Sequence, residues 1–321
     1  MCAGRYERTA IQPKHSRTSA KHPINIAQQE DTIEMEIGFI GLGIMGKPMA
    51  KHLIASGYRL HVYNRSVRPV EELAALGAKA QPNPRRVAEA SDLILTMLPD
   101  SPQVEEVILG KDGVLEGISE GKIVVDMSSI NPMSARRIAE KLAAAGVHML
   151  DAPVSGGEVG AMEGKLAIMV GGPETVFEQV KPVLGVMGTT ITRVGEIGAG
   201  NTVKLINQMI VAINIAGVSE AIEFGIRAGI DPKTAYAAIR GGLASSRVLD
   251  NKIDNIASRL FQPGFKMQLH EKDLNNAIAM GNGIGANLKL TNQINGMLQE
   301  LISDGRGSED HSALFRWYNE Q

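Results

Sequence analysis

The chain has 321 residues and a formal net charge of −2, a length that suits about two domains with a sizeable core. Its charges are mixed with no basic excess, which argues against nucleic acid as a partner, and its seven histidines are scattered without the spacing of a metal centre, so no metal is expected. The single cysteine, Cys2, rules out a disulfide framework and points to a reducing, cytoplasmic setting.

Residues 1–34 are polar and lack apolar periodicity. They read as a disordered extension, with a targeting segment as the alternative that Glu7 weakens. From Met35 the pattern changes. Glu36–Ile40 reads as a buried strand that runs directly into Gly41-Leu42-Gly43-Ile44-Met45-Gly46 and then a helix ending at Gly57. A second strand follows at Arg59–Tyr63. A G-x-G-x-x-G between strand and helix, with another strand about 20 residues on, is the context the dinucleotide fingerprint requires. Gly41 permits the tight turn, Gly43 lets a pyrophosphate approach the backbone, and Gly46 lets helix and strand pack closely. The helix N-terminal amides then meet the phosphates.

After the second strand, where an NAD enzyme carries an acid for the ribose 2′-hydroxyl, this chain has Asn64-Arg65-Ser66. Arg65 suits a 2′-phosphate and favours NADP(H) over NAD(H), while Asn64 leaves a ribose hydroxyl contact open. The alternation continues with a helix near Val70–Ala75 and strands at Leu93–Met97, Lys122–Asp126 and Val147–Leu150, with helices between. Leu98-Pro99 and Ser128-Ser129 fall at the carboxyl edge of a parallel sheet, where cofactors lie. Asp151-Ala-Pro-Val-Ser155-Gly156-Gly157 opens a loop in which the glycine amides and the Ser155 hydroxyl could converge on an anion; a flexible connection is the alternative. Leu166–Gly171 and Thr190–Val194 read as closing strands.

Everything after Val194 reads as helical. From Val203 to Ala228 the chain is apolar round the whole helical wheel, as expected of a buried helix about 40 Å long. Its longest apolar run, Met209–Val218, contains Asn214 and falls short of the ~20 residues that span a bilayer, so no membrane partner is expected. Lys204, Asn207 and Asn214 share one stripe of that helix. A buried ammonium needs a cleft, an anion or a polar cluster; a snorkelling lysine is the other reading. Further helices are expected from Asp231-Pro232 to Gly241, then at Leu249–Leu260, Leu269–Gly281 and Lys289–Asp304. Lys272-Asp273 on the third of these reads, by itself, as a solvated ion pair.

The fingerprint GFIGLGIMGKPMAKHL, the loop DAPVSGGEVGAMEG, the segment GAGNTVKLINQ and the later HEKDL together resemble the β-hydroxyacid dehydrogenases, over everything from Met35 onward. The resemblance implies a Rossmann-type parallel-sheet α/β domain (35–195) and an all-α domain (196–321), joined by the long buried helix. It implies a homo-dimer or homo-tetramer formed through the helical part. By position it assigns Lys204 as catalytic lysine, with Asn207 beside it to hold the lysine or the substrate hydroxyl. Ser155, Gly156 and Gly157 would hold a substrate carboxylate, and Asp273 would face the substrate. Leu98, Pro99, Ser129 and Lys272 would contact the cofactor. TMLPDSPQV, GEIGAGN, AIRGGLA, PGFKMQLHEKDL and DHSAL most resemble members that reduce tartronate semialdehyde to glycerate. Members acting on methylmalonate semialdehyde would share every catalytic residue. Imine-reducing relatives replace the lysine, so Lys204 argues against that chemistry. A cofactor-binding module without catalysis would have no need of Lys204 beside an anion loop.

Overall fold

A computed structural model of the chain describes residues 35–320; the readings made for residues 1–34 lie outside the described residues. Strands β1 (Glu36–Ile40), β2 (Arg59–Tyr63), β3 (Lys79–Ala80), β4 (Leu93–Thr96), β5 (Ile123–Asp126), β6 (His148–Asp151), β7 (Val154–Ser155), β8 (Leu166–Gly171) and β9 (Gly188–Gly195) form one sheet. Between them lie α1 (Gly46–Ala55), α2 (Val67–Ala74), α3 (Pro84–Glu89), α4 (Ser101–Leu109), α5 (Val114–Gly117), α6 (Pro132–Ala143), α7 (Gly157–Glu163) and α8 (Glu174–Gly185). The strand order is β3-β2-β1-β4-β5-β6-β8-β7, with β9 paired to β8. From β3 to β6 all pairs are parallel; β8 then runs antiparallel to β6 and β7. The closing strands therefore turn a parallel sheet into a mixed one.

The strands are Ile- and Val-rich because both faces of the sheet are covered. Phe39, Leu95 and Val125 pack on one side with α1 and α8, and Ile40, Ile94 and Val124 on the other with α3, α4 and α6. The chain order reverses between β1 and β4, so the crevice at their carboxyl ends is the expected place for a ligand in such a sheet.

The remaining helices are α9 (Ala199–Arg227), α10 (Pro232–Ile239), α11 (Arg247–Ser258), α12 (Met267–Ile284), α13 (Lys289–Leu301) and α14 (Phe315–Asn319), with a short 3-10 turn at His311–Leu314. They enclose a second apolar core built on Ile215, Ile253, Leu274, Leu298 and Phe315. Helix α9 belongs to both halves. It lies on β8 and β9, its first turns also meet α12, and it packs against α13 and α14 as well.

At 29 residues α9 is long and apolar enough, by length and composition, to cross a membrane, which the run Met209–Val218 did not foretell. Nor is it buried on every side. Ile206, Ile210 and Ile213 are 46%, 55% and 37% exposed along one stripe, beside exposed Leu290. An apolar wheel shows that a helix has apolar faces; only the packing shows which of them is covered.

The candidate active site

The cofactor side is built largely from backbone. Gly41 turns the chain after β1 with a positive φ of 97°, and a Cβ there would strike the carbonyl of Met97. At Gly46 a Cβ would strike the carbonyl of Gly41, so only glycine lets α1 start this close to β1. Nothing lies within 4 Å of where a Cβ of Gly43 would be, and no side chain caps α1. An uncapped helix N-terminus beside an open glycine is a fitting cradle for a pyrophosphate. Ile44 and Met45 complete the turn, with Ile44 exposed and Met45 half-buried.

Leu42 contributes differently from the expectation. Its side chain is buried, and its amide donates to Asn64 Oδ1 at 3.0 Å. Asn64 Nδ2 in turn donates to the Ser66 carbonyl at 3.0 Å. Asn64 is thus a brace between the fingerprint loop and the end of β2. Arg65 beside it is exposed, and among the described residues no ion pair or hydrogen bond engages it.

Two further edge loops are tied from below by Asp126. Its Oδ1 accepts from Thr96 Oγ1 at 2.7 Å, Ser128 N at 3.2 Å and Ser128 Oγ at 2.5 Å. Ser128 Oγ then accepts from the Leu98 amide at 2.9 Å. Burial pushes the Asp126 carboxyl up to about 6, against those hydrogen bonds. Its partner in the strand register, Asp151, is also pushed up to about 6 by burial. Asp151 accepts from the amides of Gly198 and Asn201, each at 2.7 Å, and so caps α9 from another strand. Asn201 Oδ1 reaches on to the Ile130 amide at 2.9 Å. Gly200 has no room for a Cβ against the carbonyls of Asp151 and Met169. The sequence reading missed Asp126, Asn201 and this role of Asp151; the D-M-S turn after β5 was the available sign.

The other side of the crevice is built from side chains. Lys204 lies five residues into α9 and is only 7% exposed. Burial lowers its ammonium to about 8, opposed by the attraction of Asp273 and assisted by repulsion from Lys272. Among the described residues it makes no hydrogen bond. The snorkelling reading fails on its burial.

Lys272, on α12, crosses to the edge loops, where Nζ donates to the carbonyls of Pro99 at 3.1 Å and Ser129 at 2.5 Å. It also sits 3.0 Å from Asp273 Oδ1, so this pair is a buried clamp rather than a solvated one. That oxygen has no aligned hydrogen bond despite the short ion-pair distance. Asp273 Oδ2 accepts from Gln208 Nε2 at 2.5 Å.

Asn207 was expected to serve Lys204, but its Nδ2 donates to Gln208 Oε1 at 2.9 Å. One of its amide protons therefore belongs to the Gln208–Asp273 chain, and its second proton and its oxygen stay free for a ligand. Asn214 is satisfied locally by the Ile210 carbonyl at 2.9 Å. Ser155 ends β7, paired with Ala167, and Gly156 and Gly157 follow with φ of 135° and 62°. No hydrogen bond joins this loop to Lys204 or Asn207 among the described residues.

Sequence reading also missed a buried network beneath this wall. His270 Nε2 lies 3.0 Å from the Gln208 carbonyl, so that nitrogen carries the proton. Its Nδ1 is then left to accept from His311 Nδ1 at 3.0 Å. Burial lowers both imidazoles, which keeps the pair neutral. Asp310 anchors the C-terminal turn, accepting from Lys252 Nζ at 2.9 Å and the amides of Gly264 and Phe265 at 3.0 and 3.1 Å.

Two family descriptions together match most of the chain from residue 36 to residue 318. Residues 36–195 match the NAD-binding domain of 6-phosphogluconate dehydrogenase, and residues 198–318 match the NAD-binding family of NADP-dependent 3-hydroxyisobutyrate dehydrogenase. The chain is 48% identical to 2-hydroxy-3-oxopropionate reductase of Escherichia coli (strain K12), over 87% of its own length and 96% of that protein. It is 40% identical to 2-(hydroxymethyl)glutarate dehydrogenase of Eubacterium barkeri, over 88% and 94%. Among solved structures, 3-hydroxyisobutyrate dehydrogenase of Mycobacterium tuberculosis with L-serine superposes with a TM-score of 0.82 at 28% identity, covering 88% of this chain and 98% of that one. With a glycine turn built for a dinucleotide, a buried lysine and this similarity to such enzymes, the chain belongs to the β-hydroxyacid dehydrogenase family of NAD(P)-dependent oxidoreductases acting on CH–OH groups.

Proposed function

We propose that the protein reduces 2-hydroxy-3-oxopropionate (tartronate semialdehyde) to glycerate, and runs the reverse reaction, with Lys204 as general acid and base. The observation that carries this is Lys204 itself, buried, without a hydrogen bond of its own, and lowered to about 8. A nicotinamide bound at the crevice supplies the hydride to the aldehyde carbon. As charge builds on the carbonyl oxygen, the Lys204 ammonium stabilises it and delivers the proton. In the oxidative direction the neutral amine takes the proton back, and a group lowered toward 8 does so far more readily than free lysine near 10.4. Asp273, oriented by Gln208, offsets part of the burial cost of the ammonium. Ser155 with Gly156 and Gly157 holds the carboxylate and orients the aldehyde. Asn207 offers its free oxygen to the substrate, and Lys272 fastens α12 over the Pro99 and Ser129 loops.

The likeness at 48% identity to a 2-hydroxy-3-oxopropionate reductase supports this substrate over other short semialdehydes. NADP(H) is the favoured cofactor. Arg65 is unpaired, no acid stands at the end of β2, and the side chain of Ser66 makes no capping bond to α2. That leaves a donor, a cation and a helix start for a 2′-phosphate. The test is a steady-state panel of 2-hydroxy-3-oxopropionate and methylmalonate semialdehyde, each with NADPH and NADH. The highest kcat/KM is expected for the first aldehyde with NADPH; a preference for the methyl compound sinks the substrate reading.

A further inference from the structure

Helices α9 and α12 run antiparallel. Thr202 Oγ1 lies 3.8 Å from Met280 Sδ at one end of their contact, and Gln208 Nε2 lies 2.5 Å from Asp273 Oδ2 at the other. Between those pairings, Asn276 is level with Leu205 and Ile206, within one turn of Lys204 along α9. On α12, Lys272, Asn276 and Met280 recur every fourth residue and share one stripe. That stripe looks across the crevice, since Lys272 reaches Pro99 and Ser129 from it. The opposite flank of α12 is occupied by α13, where Asn295 Nδ2 bonds Asn275 Oδ1 at 2.9 Å and Gln299 Nε2 bonds Glu271 Oε1 at 3.2 Å. Repulsion from Lys272 helps to lower Lys204, so the two ammonium groups lie within reach of one another's charge.

Asn276 Nδ2 is buried and has no hydrogen-bond partner; among the described residues it is the one buried side-chain nitrogen so left. A buried amide without a partner costs free energy unless something satisfies it. The proposed substrate has three polar groups. Its carboxylate goes to the Ser155 loop and its aldehyde oxygen to Lys204, which leaves the hydroxyl on C2.

We infer that Asn276 reads the C2 hydroxyl of the substrate and so selects hydroxylated semialdehydes over those with hydrogen or methyl at C2. A hydroxyl both donates and accepts, so it satisfies either end of the amide; a methyl satisfies neither. An analogue without the hydroxyl leaves the amide unpaired, which is the stronger form of discrimination available to a small pocket. This inference rests on the substrate reading given above.

The experiment compares kcat/KM for 2-hydroxy-3-oxopropionate and for 3-oxopropionate, which lacks the hydroxyl, in wild type and Asn276→Leu. The expected result is a loss of about tenfold or more on the hydroxylated aldehyde and a change under about threefold on the other. Asn276→Ser, which keeps a donor, should recover part of the selectivity. Thermal melts establish that each variant folds, and Asn276→Ala takes the place of Asn276→Leu if the latter does not. Where the wild type prefers the hydroxylated aldehyde, a parallel fall on both substrates, or no change on either, overturns the role of Asn276 alone. A wild type that prefers 3-oxopropionate overturns the substrate reading and this assignment with it.

Discussion

The two walls of the crevice are made by different means. The sheet wall uses glycines contributed by one unbroken stretch, Gly41–Gly46, and it leaves the start of α1 uncapped for a ligand's charge. The helical wall uses Lys204, Gln208, Lys272 and Asp273 from two helices, and all but Lys204 are held by side-chain bonds across 65 positions of sequence or more. Even the two helix starts differ: α1 is open, whereas α9 already carries the carboxylate of Asp151. A helix start that must bind a ligand is left empty, and one that must only be stable is filled from within. The contrast fits the proposed division of labour, with cofactor binding on the first wall and proton transfer on the second.

Substitutions that touch one wall at a time can break that division. Lys204→Ala should lower kcat by about 10²–10⁴-fold while cofactor affinity, measured by fluorescence titration of NADPH, stays within a few-fold of wild type. Normal turnover, or lost cofactor binding, would merge the two roles. Gly46→Ala should do the reverse. Its Cβ meets the Gly41 carbonyl, backbone against backbone, so the loop must shift and NADPH affinity should fall by about a hundredfold or more. A fully bound, active Gly46→Ala enzyme would remove the close approach from the argument.

Acidity sharpens the comparison further. Reduction needs the Lys204 ammonium, so its kcat should fall as pH rises through about 8; oxidation needs the amine, so its kcat should rise through the same value. Coincident profiles in both directions would place the titrating group elsewhere. The smallest effect expected is at the rim. Arg65→Ala should raise KM for NADPH by about tenfold and leave NADH unchanged, since one charge-assisted contact is lost. An unchanged NADPH/NADH ratio would show that the 2′-phosphate is held by other groups.

Much of the sheet wall was legible because its signals are short-range. The strand–glycine–helix order, the Asp231-Pro232 helix start and the alternation of strands with helices each depend on neighbouring residues. What the sequence hid depends on distant ones. Asn207 sits on the Lys204 stripe, yet its amide turns to Gln208, because Gln208 is held by an aspartate on another helix. Asp151 looked like the start of an anion loop and proved to cap α9 as well. Leu42 lies inside the fingerprint, but Asn64, reached only when β2 pairs with β1, takes its amide.

By itself the sequence determined the fold class and the glycine turn, and it marked Lys204 as an ammonium in an apolar run, since steric turns, periodicity and such a run are local facts. Only the tertiary structure decided that Lys204 is buried, that Lys272 and Asp273 form a clamp, that one face of α9 stays open and that Asn276 Nδ2 is buried without a partner. Those outcomes follow from how α9 and α12 pack. Burial and pairing between segments far apart in sequence exist only once the helices have met.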